Sequence, residues 1–456
     1  MTKEQEIKGL VEKQRRYFLT QATKTVFFRV RQLKKLRKAV VDNKEALVEA
    51  LWADLRKCRE EVMLTEYNIV IAEIDEHIRN IKYWVESERV RTPMFLKPSG
   101  SRVIYEPYGV ALVIAPWNYP FNLMFCPLVG AISAGCCAVL KPSPYSVNTS
   151  ALMSKMIRET FDEHYIASVE GNREVNTLLL KQHFDMIFYT GSPAVGKVVM
   201  EAAAKHLTPV VLELGGKSPC IVDKKCNVEY AARRIVWGKT INAGQTCVAP
   251  DYLFVHKDVK EVLIKKMINC VERFYGKNMQ KSRCYCRIIN DKAFQRLLSY
   301  LSDGQVIYGG NYDAADRYMQ FTLLDNVAAD AAIMRDEIFG PLLPVMTFDD
   351  IKEVISFVNG RPKPLALYYF GSDDAAKEVL KQTISGGACI NDTVLHVANG
   401  HLPFGGVGNS GMGKYHSYYS FLAFSNIRAV LKSSNMIDFT VKYPPYNNFG
   451  LVDKLM

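Results

Sequence analysis

The run Val110-Ala-Leu-Val-Ile-Ala-Pro116-Trp-Asn-Tyr-Pro120-Phe-Asn-Leu-Met-Phe-Cys-Pro-Leu-Val-Gly130-Ala-Ile-Ser-Ala-Gly-Cys-Cys-Ala-Val-Leu140 holds no Asp, Glu, Lys or Arg. A hydropathy window scores such a run as a membrane span. Pro116 and Pro120 argue against that reading, because paired prolines interrupt helical hydrogen bonding and mark a loop. The run divides instead into a buried strand Val110–Ala115, a loop, a buried helix from Phe121 to about Ser133, and a second buried strand Cys137–Lys141. That is a βαβ unit in a sheet covered on both faces.

The alternation continues outward. Apolar runs at Ile166–Val169, Met186–Tyr189 and Val210–Leu212 are separated by helical runs, which predicts an open parallel sheet of the dinucleotide-binding kind. A second alternating stretch, about 213 to 390, has apolar runs near Tyr252–Val255, Leu342–Phe348 and Leu365–Phe370. Upstream, residues 4–90 space apolar side chains as helices do, for example Val30, Leu33, Leu36 and Val40, then Ile74, Ile78 and Ile81. Pro93, Pro98 and Gly100 mark a break, after which Arg102–Glu106 reads as an exposed extended segment. The tail, from Ile427–Val430 to Tyr443-Pro-Pro-Tyr446, reads as an arm that pairs with another subunit.

Composition bounds the function. A chain of 456 residues, 48% hydrophobic, can build two or three domains with a large core. The net charge of +11 invites a nucleic-acid reading, and residues 1–57 carry 15 Lys/Arg against 7 Asp/Glu. No nucleic-acid module accompanies that surplus, so a solvated basic helical face is the better account. Eleven cysteines, odd in number and irregularly spaced without a signal-peptide pattern, predict a reduced, cytoplasmic protein. Cys284-x-Cys286 and Cys136-Cys137 lack the His or second Cys pair of a zinc site, so no metal is expected. Lysines, aspartates and prolines break up Leu431–Met456, which argues against a membrane anchor.

Two stretches carry chemistry. Asn242-Ala-Gly-Gln-Thr-Cys247-Val-Ala-Pro250 puts a cysteine after a glycine-containing turn, at the end of the amphipathic run Val228–Ile241. A helix terminus, local dipoles and partial exposure favour thiolate there, while a lone cysteine also packs as a small hydrophobe. Glu213 stands between Val210–Leu212 and Gly215-Gly216, at a strand end that presents its side chain to a cleft. Cysteine plus glutamate points to covalent catalysis followed by hydrolysis. Phe188-Tyr-Thr-Gly191-Ser192-Pro-Ala-Val-Gly196 opens the helix Ala194–Lys205, whose backbone N–H groups can meet a pyrophosphate. Its spacing is not the dinucleotide fingerprint, and an ordinary tight turn serves equally well. Arg335-Asp-Glu337-Ile-Phe339-Gly-Pro341 sets a carboxylate and an aromatic on a Gly-Pro loop, or is a capped helix followed by a turn, and Phe404–Gly413 is too long and glycine-dense to be only a turn.

Taken in order, Pro116-Trp-Asn118-Tyr-Pro120, Lys141-Pro-Ser143, Thr190-Gly-Ser, Glu213-Leu-Gly-Gly-Lys, Gly244-Gln-Thr-Cys247, Glu337-Ile-Phe-Gly-Pro and Pro403-Phe-Gly-Gly resemble the aldehyde dehydrogenase superfamily along essentially the whole chain. The segment His401–His416 and the Tyr443-Pro-Pro ending look like its class 3 group of fatty and aromatic aldehyde oxidisers. The resemblance implies an α/β fold with a Rossmann-type cofactor domain (1–90 and 101–212), an α/β catalytic domain (213–395) and a small β oligomerisation arm (91–100 and 415–456), assembled as a homodimer. It implies Cys247 as nucleophile, Glu213 as the base that activates water, and Asn118 as an oxyanion donor, although an Asx turn between two prolines also accounts for Asn118. It implies a cofactor set of Trp117, Lys141, Ser143, Gly191, Ser192, Gly196, Leu214, Gly215, Glu337 and Phe339. Tyr119, Thr246 and Phe404, with the loop Asn391–Val397, are expected either to line an apolar entrance for medium- or long-chain or aromatic aldehydes, or to close the core beneath it.

One departure bears on the cofactor. Many relatives carry a Glu three residues after the Lys, which holds the adenosine ribose hydroxyls and repels a 2′-phosphate; here that position is Pro144. NADP is therefore expected to serve alongside NAD, with Lys141 available to the phosphate. The rivals are a CoA-acylating relative, which has less use for Glu213, and a non-catalytic scaffold on the same fold.

Overall fold

The computed structural model describes residues 2–446 and Gly450. The rest of the expected arm, 447–449 and 451–456, lies outside the described residues.

The charge-free run folds as its prolines require. Strand Val110–Ile114, helix Asn122–Ala134 and strand Cys137–Lys141 are buried almost throughout. Withdrawing Leu128, Val129 and Ile132 from water stabilises the fold by roughly 1.5–3 kcal/mol each. The two strands belong to a six-stranded sheet ordered Gly411–Met412, Val210–Glu213, Met186–Thr190, Val110–Ile114, Cys137–Lys141, Ile166–Ser168. All neighbours pair in parallel except the two-residue edge strand Gly411–Met412, which runs antiparallel with Gly411 opposite Glu213. The strands leave Val110–Ile114 in two directions, first to Cys137–Lys141 and later to Met186–Thr190. This reversal opens a crevice between the carboxyl ends of Val110–Ile114 and Met186–Thr190, where open α/β sheets bind ligands.

A seven-stranded sheet forms the second unit, ordered Gln305–Tyr308, Thr322–Asp325, Leu342–Phe348, Tyr252–His256, Pro219–Val222, Ala366–Phe370, Gly387–Ile390. A third sheet joins Glu88–Val90, Gly100–Pro107 and Ser425–Lys432, all antiparallel. Arg102–Glu106 is thus the middle strand of this sheet, half-buried between two partners, and not a solvated segment.

The N-terminal helices are Lys3–Leu19, Val26–Asp42, Lys44–Leu55, Arg59–Val62 and Asn68–Trp84. Between the last two the chain makes a π-turn, Met63–Tyr67, which the 3.6-residue period does not foresee. Part of the basic surplus is taken up by partners, one of its arginines inside the fold and others at its surface. Buried Arg29 donates to Thr23 O (3.1 Å) and Ser133 O (3.0 Å), Arg37 pairs with Asp75 (2.6 Å), and Arg15 pairs with Asp185 (3.1 Å).

Candidate active site

Cys247 follows the helix Val228–Thr240 through a turn in which Asn242, Ala243 and Gly244 have φ of 51°, 51° and 74°. Left-handed backbone costs the two non-glycine residues of order 1 kcal/mol or more each, so the surroundings must enforce it. The Asn242 N–H donates to Glu61 Oε1 (2.8 Å), and the Asn242 side-chain amide donates to Asn118 O (2.8 Å) and Gln245 O (3.2 Å). Gln245 Nε2 donates to Asn242 O and Arg287 O (both 3.0 Å), and its Oε1 accepts from Ile289 N (3.0 Å). A Cβ on Gly244 would lie 2.3 Å from Gly340 O, so only glycine fits.

The turn does not prepare a thiolate. Cys247 lies beyond the carboxyl end of its helix, the negative pole of the dipole. Burial, with Glu337 and Glu213 adding their charges, pushes the thiol well above its ordinary range. Cys247 is partly exposed, as expected from the sequence, but its position past the helix end and its carboxylate neighbours oppose the ionisation that the helix terminus was expected to favour.

Asn118 is buried, and its side-chain amide donates to Gln245 O at 3.0 Å, across to the cysteine segment and not back into its own loop. Beneath it lies a fully buried ion pair that the sequence did not reveal. Lys57 Nζ meets Glu66 Oε1 at 2.9 Å and also donates to Asn118 O (3.2 Å), while Glu66 Oε2 accepts from Asn122 N (2.9 Å). The loop carrying Asn118 is thereby fixed to the π-turn.

Glu213 ends its strand buried, and neither carboxylate oxygen has a hydrogen-bond partner among the described residues. Burial lifts its carboxyl far above the usual carboxylate range, with Lys414 opposing. The glycine-dense loop after Phe404 accounts for its own composition here: it returns as the edge strand Gly411–Met412 beside Glu213, and Leu214 N donates to Ser410 O (3.1 Å).

Two cavities meet at Cys247. The larger, about 560 Å³, occupies the crevice at the strand reversal. It is lined by Pro116, Trp117 and Asn118 from one strand end, Thr190, Gly191 and Ser192 from the other, then Glu213, Leu214, Gly215, Cys247, Glu337 and Phe339. Trp117 and Phe339 meet edge-on, ring centroids 5.3 Å apart at 81°. Arg335–Pro341 is not a capped helix; a 3-10 turn, Ala332–Met334, precedes it, and Phe339 has φ of 51°. The Glu337 carboxylate presses on Gly215, where a Cβ would lie 1.9 Å from Oε2. Burial raises its carboxyl well above the ordinary range, and Asp251 adds to the effect. Lys141, Ser143 and Gly196 do not line this cleft. Lys141 ends the strand one step beyond the reversal, buried, with Nζ donating to Pro142 O (2.7 Å), and burial lowers its pKa to about 8. Ser192 caps the helix Pro193–Ala204, accepting from Val195 N (3.5 Å).

The smaller cavity, about 110 Å³, is an apolar tunnel on the other side of Cys247. The expected Tyr119, Thr246 and Phe404 line it with Val394, Leu395 and Val397 of the predicted loop, and Tyr119 Oη bonds Thr246 Oγ1 at 2.5 Å. Leu64 and Thr65 from the π-turn, Ile69, Trp237 and Ile241 join the wall, as do Asn122 and His416. No local sequence signal marks these residues, because separate segments assemble the tunnel. Among the described residues no helix is long and apolar enough to cross a membrane.

A cleft at the switch point of a parallel sheet, lined by a cysteine and a buried carboxylate, invites comparison with known proteins. The model of the aldehyde dehydrogenase family matches residues 1–430. Aldehyde dehydrogenase family 3 member B3 of Mus musculus is 46% identical, covering 94% of this chain and 90% of its own. The "aldehyde dehydrogenase, dimeric NADP-preferring" of Canis lupus familiaris is 42% identical, covering 96% and 98%. Among solved structures, a Staphylococcus aureus AldH in a substrate-bound state superposes with a TM-score of 0.96 at 44% identity, covering 98% of this chain and 99% of that one. Likeness of this extent settles the family: the chain belongs to the aldehyde dehydrogenases, is similar to their class 3 members, and is an oxidoreductase.

Proposed function

We propose that this enzyme oxidises aldehydes with apolar tails, medium- to long-chain aliphatic or aromatic, to carboxylic acids with NAD or NADP, through a thioester on Cys247. The observation that carries the reading is the place of Cys247 on the wall shared by the cleft and the apolar tunnel, with Glu213 in the same cleft.

The cleft's own groups fit a dinucleotide. Thr190 Oγ1 lines the cleft, buried and without a partner among the described residues, and Glu337 offers a carboxylate to ribose hydroxyls. Gly191, Ser192 and the start of Pro193–Ala204 suit the pyrophosphate. Trp117, Leu214, Gly215 and Phe339 are assigned to the nicotinamide end, and Lys141, Ser143 and Gly196 to the part of the site beyond the cleft. When bound, the dinucleotide supplies the oxidant, its nicotinamide taking the hydride that leaves the aldehyde carbon.

The chain's own residues move the protons. Glu213 takes the Cys247 proton, the sulfur bonds to the carbonyl carbon, and the carbonyl oxygen becomes an alkoxide. One Asn118 amide hydrogen is held by Gln245 O, so the second is assigned to that alkoxide together with the Cys247 backbone N–H. Loss of hydride leaves a thioester. Glu213, ionised again after passing its proton to solvent, takes a proton from water as the oxygen bonds to the acyl carbon. The carbon–sulfur bond breaks, the proton held by Glu213 returns to the departing sulfur, and the acid and the thiol separate.

Initial rates of NAD(P)H formation with and without CoA test this. Hexanal and benzaldehyde should turn over without CoA and exceed acetaldehyde in kcat/KM by at least about tenfold, the value of roughly two buried methylenes. Turnover that requires CoA would hand the reading to the acylating rival.

Pro144 is exposed and offers no carboxylate against a 2′-phosphate. Its replacement, Pro144→Glu, is expected to raise the KM for NADP about tenfold or more, since like charges brought together cost of order 1 kcal/mol or more, while lowering that for NAD, whose ribose hydroxyls gain an acceptor. Equal effects on the two cofactors would remove Pro144 from the argument. A homodimer is part of the same reading: Ser425–Lys432 is an edge strand with Ile427 and Leu431 exposed, and the canine relative is described as dimeric.

A further inference from the structure

The fold gathers two thiols and a carboxylate away from the catalytic cavities. Cys58 is the N-cap residue of the short helix Arg59–Val62, and Glu60 lies in its first turn. Cys284 comes from the second unit, at the start of a segment held in place by Arg287 N donating to Leu55 O (2.8 Å) and Ile289 N donating to Gln245 Oε1 (3.0 Å). Sequence spacing pairs Cys284 with Cys286, but the fold turns Cys286 inward to Glu61 Oε1 (3.5 Å) and sets Cys284 beside Cys58. One ligand atom from each of Cys58, Glu60 and Cys284 lies within 4.8 Å of the others. Cys58 is buried at the back, while Glu60 and Cys284 open to solvent, which gives an ion a way in.

We propose that Cys58, Glu60 and Cys284 bind a thiophilic divalent metal of the zinc class. With metal–sulfur bonds of about 2.3 Å, the edges of a tetrahedral site are roughly 3.8 Å, so the three donors need close by only about 1 Å. Two thiolates and a carboxylate are a donor set that suits zinc, and the fourth position faces solvent. Binding exchanges the two thiol protons for the ion, with no electron transferred. The three anionic donors leave the bound ion with one excess negative charge, and Arg59 and Arg283 act on Glu60 to offset it. A disulfide between the same sulfurs gives the converging carboxylate no role, which is why the metal is favoured. The ion would staple the N-terminal helices to the second unit, one residue before the Glu61 that holds the Asn242 turn.

The full-length chain, reduced and freed of metal, is titrated with Co²⁺ and then Zn²⁺. One Co²⁺ per chain should bind with a near-ultraviolet thiolate charge-transfer band that Zn²⁺ abolishes, and Zn²⁺ should raise Tm by a few degrees. Cys284→Ser, a change at an exposed position, should weaken binding at least about 100-fold and remove the Tm rise, and Glu60→Gln should weaken it about tenfold. Cys247→Ala should leave band and stoichiometry as they are. A band that survives Cys284→Ser, or that disappears with Cys247→Ala, overturns the proposal. So does a peroxide-driven Cys58–Cys284 disulfide that forms equally fast with and without equimolar Zn²⁺.

Discussion

Cys247→Ala is expected to lower aldehyde-dependent NAD(P)H formation by at least about 10⁴-fold while dinucleotide binding changes by less than about threefold. On the proposed route the sulfur is the atom to which the substrate carbon bonds, so no neighbour can substitute for it. The cleft, by contrast, is built from two strand ends and the Glu337 and Phe339 segment, none of which the truncation disturbs. Trp117 lines that cleft, so quenching of its fluorescence reads dinucleotide binding independently of turnover. Residual activity above about 1% would mean that the covalent route is wrong.

Glu213→Gln should lower kcat by about 10²–10⁴-fold at neutral pH, the usual worth of a positioned base. For the wild type the sign of the pH dependence follows from the two shifts. Both Glu213 and Cys247 are pushed upward, so their ionised forms are scarce at low pH and grow as pH rises. The rate should climb by up to about tenfold per pH unit below the controlling pKa, with no falling limb in the mildly alkaline range. With deacylation slowed in the variant, prolonged incubation with hexanal and cofactor at alkaline pH, where more of the thiol is ionised, should leave an acyl group of about 98 Da on Cys247, visible as intact mass. The same substitution should raise stability. A carboxyl whose folded pKa lies above its unfolded value contributes stability that is present below the unfolded pKa and lost as pH rises through the folded one. At pH 8 the buried charge costs roughly 1–3 kcal/mol, so Glu213→Gln should add about 1–3 °C to Tm. The difference should shrink as pH falls and wild-type Glu213 takes up its proton. A variant less stable than wild type at pH 8 would mean that the carboxylate has a partner.

The strands of the first sheet were legible because they are buried on both faces, so each one reads as an unbroken apolar run; Val110–Ile114 and Cys137–Lys141 fall within a residue of expectation. Sheet order was not legible. Apolar runs say that strands exist but not which ones neighbour, and order is what separates Gly191 and Ser192, which line the cleft, from Lys141 and Ser143, which do not. The Cys247 environment was hidden for a related reason: burial first, then Glu337 and Glu213, all supplied by distant segments, set the direction in which its thiol shifts. The tunnel was half seen. Its loop side was found through Phe404 and Val394–Val397, whereas Leu64 sits on a π-turn that helical periodicity cannot register, and Lys57 and Glu66 look like ordinary surface charges until they are found buried together.

Cys247 as a party wall between two rooms has a pharmacological corollary. A compound that fills only the apolar room should compete with aldehyde yet leave cofactor saturation untouched, and one confined to the larger room should do the reverse. Because a cofactor room is constrained to hold a dinucleotide while the apolar room is not, selectivity is to be sought in the room that Leu64, Ile69, Trp237 and Ile241 help to wall. An electrophile carried on a tail shaped to those four side chains would reach the thiol from the side on which enzymes of this family are free to differ.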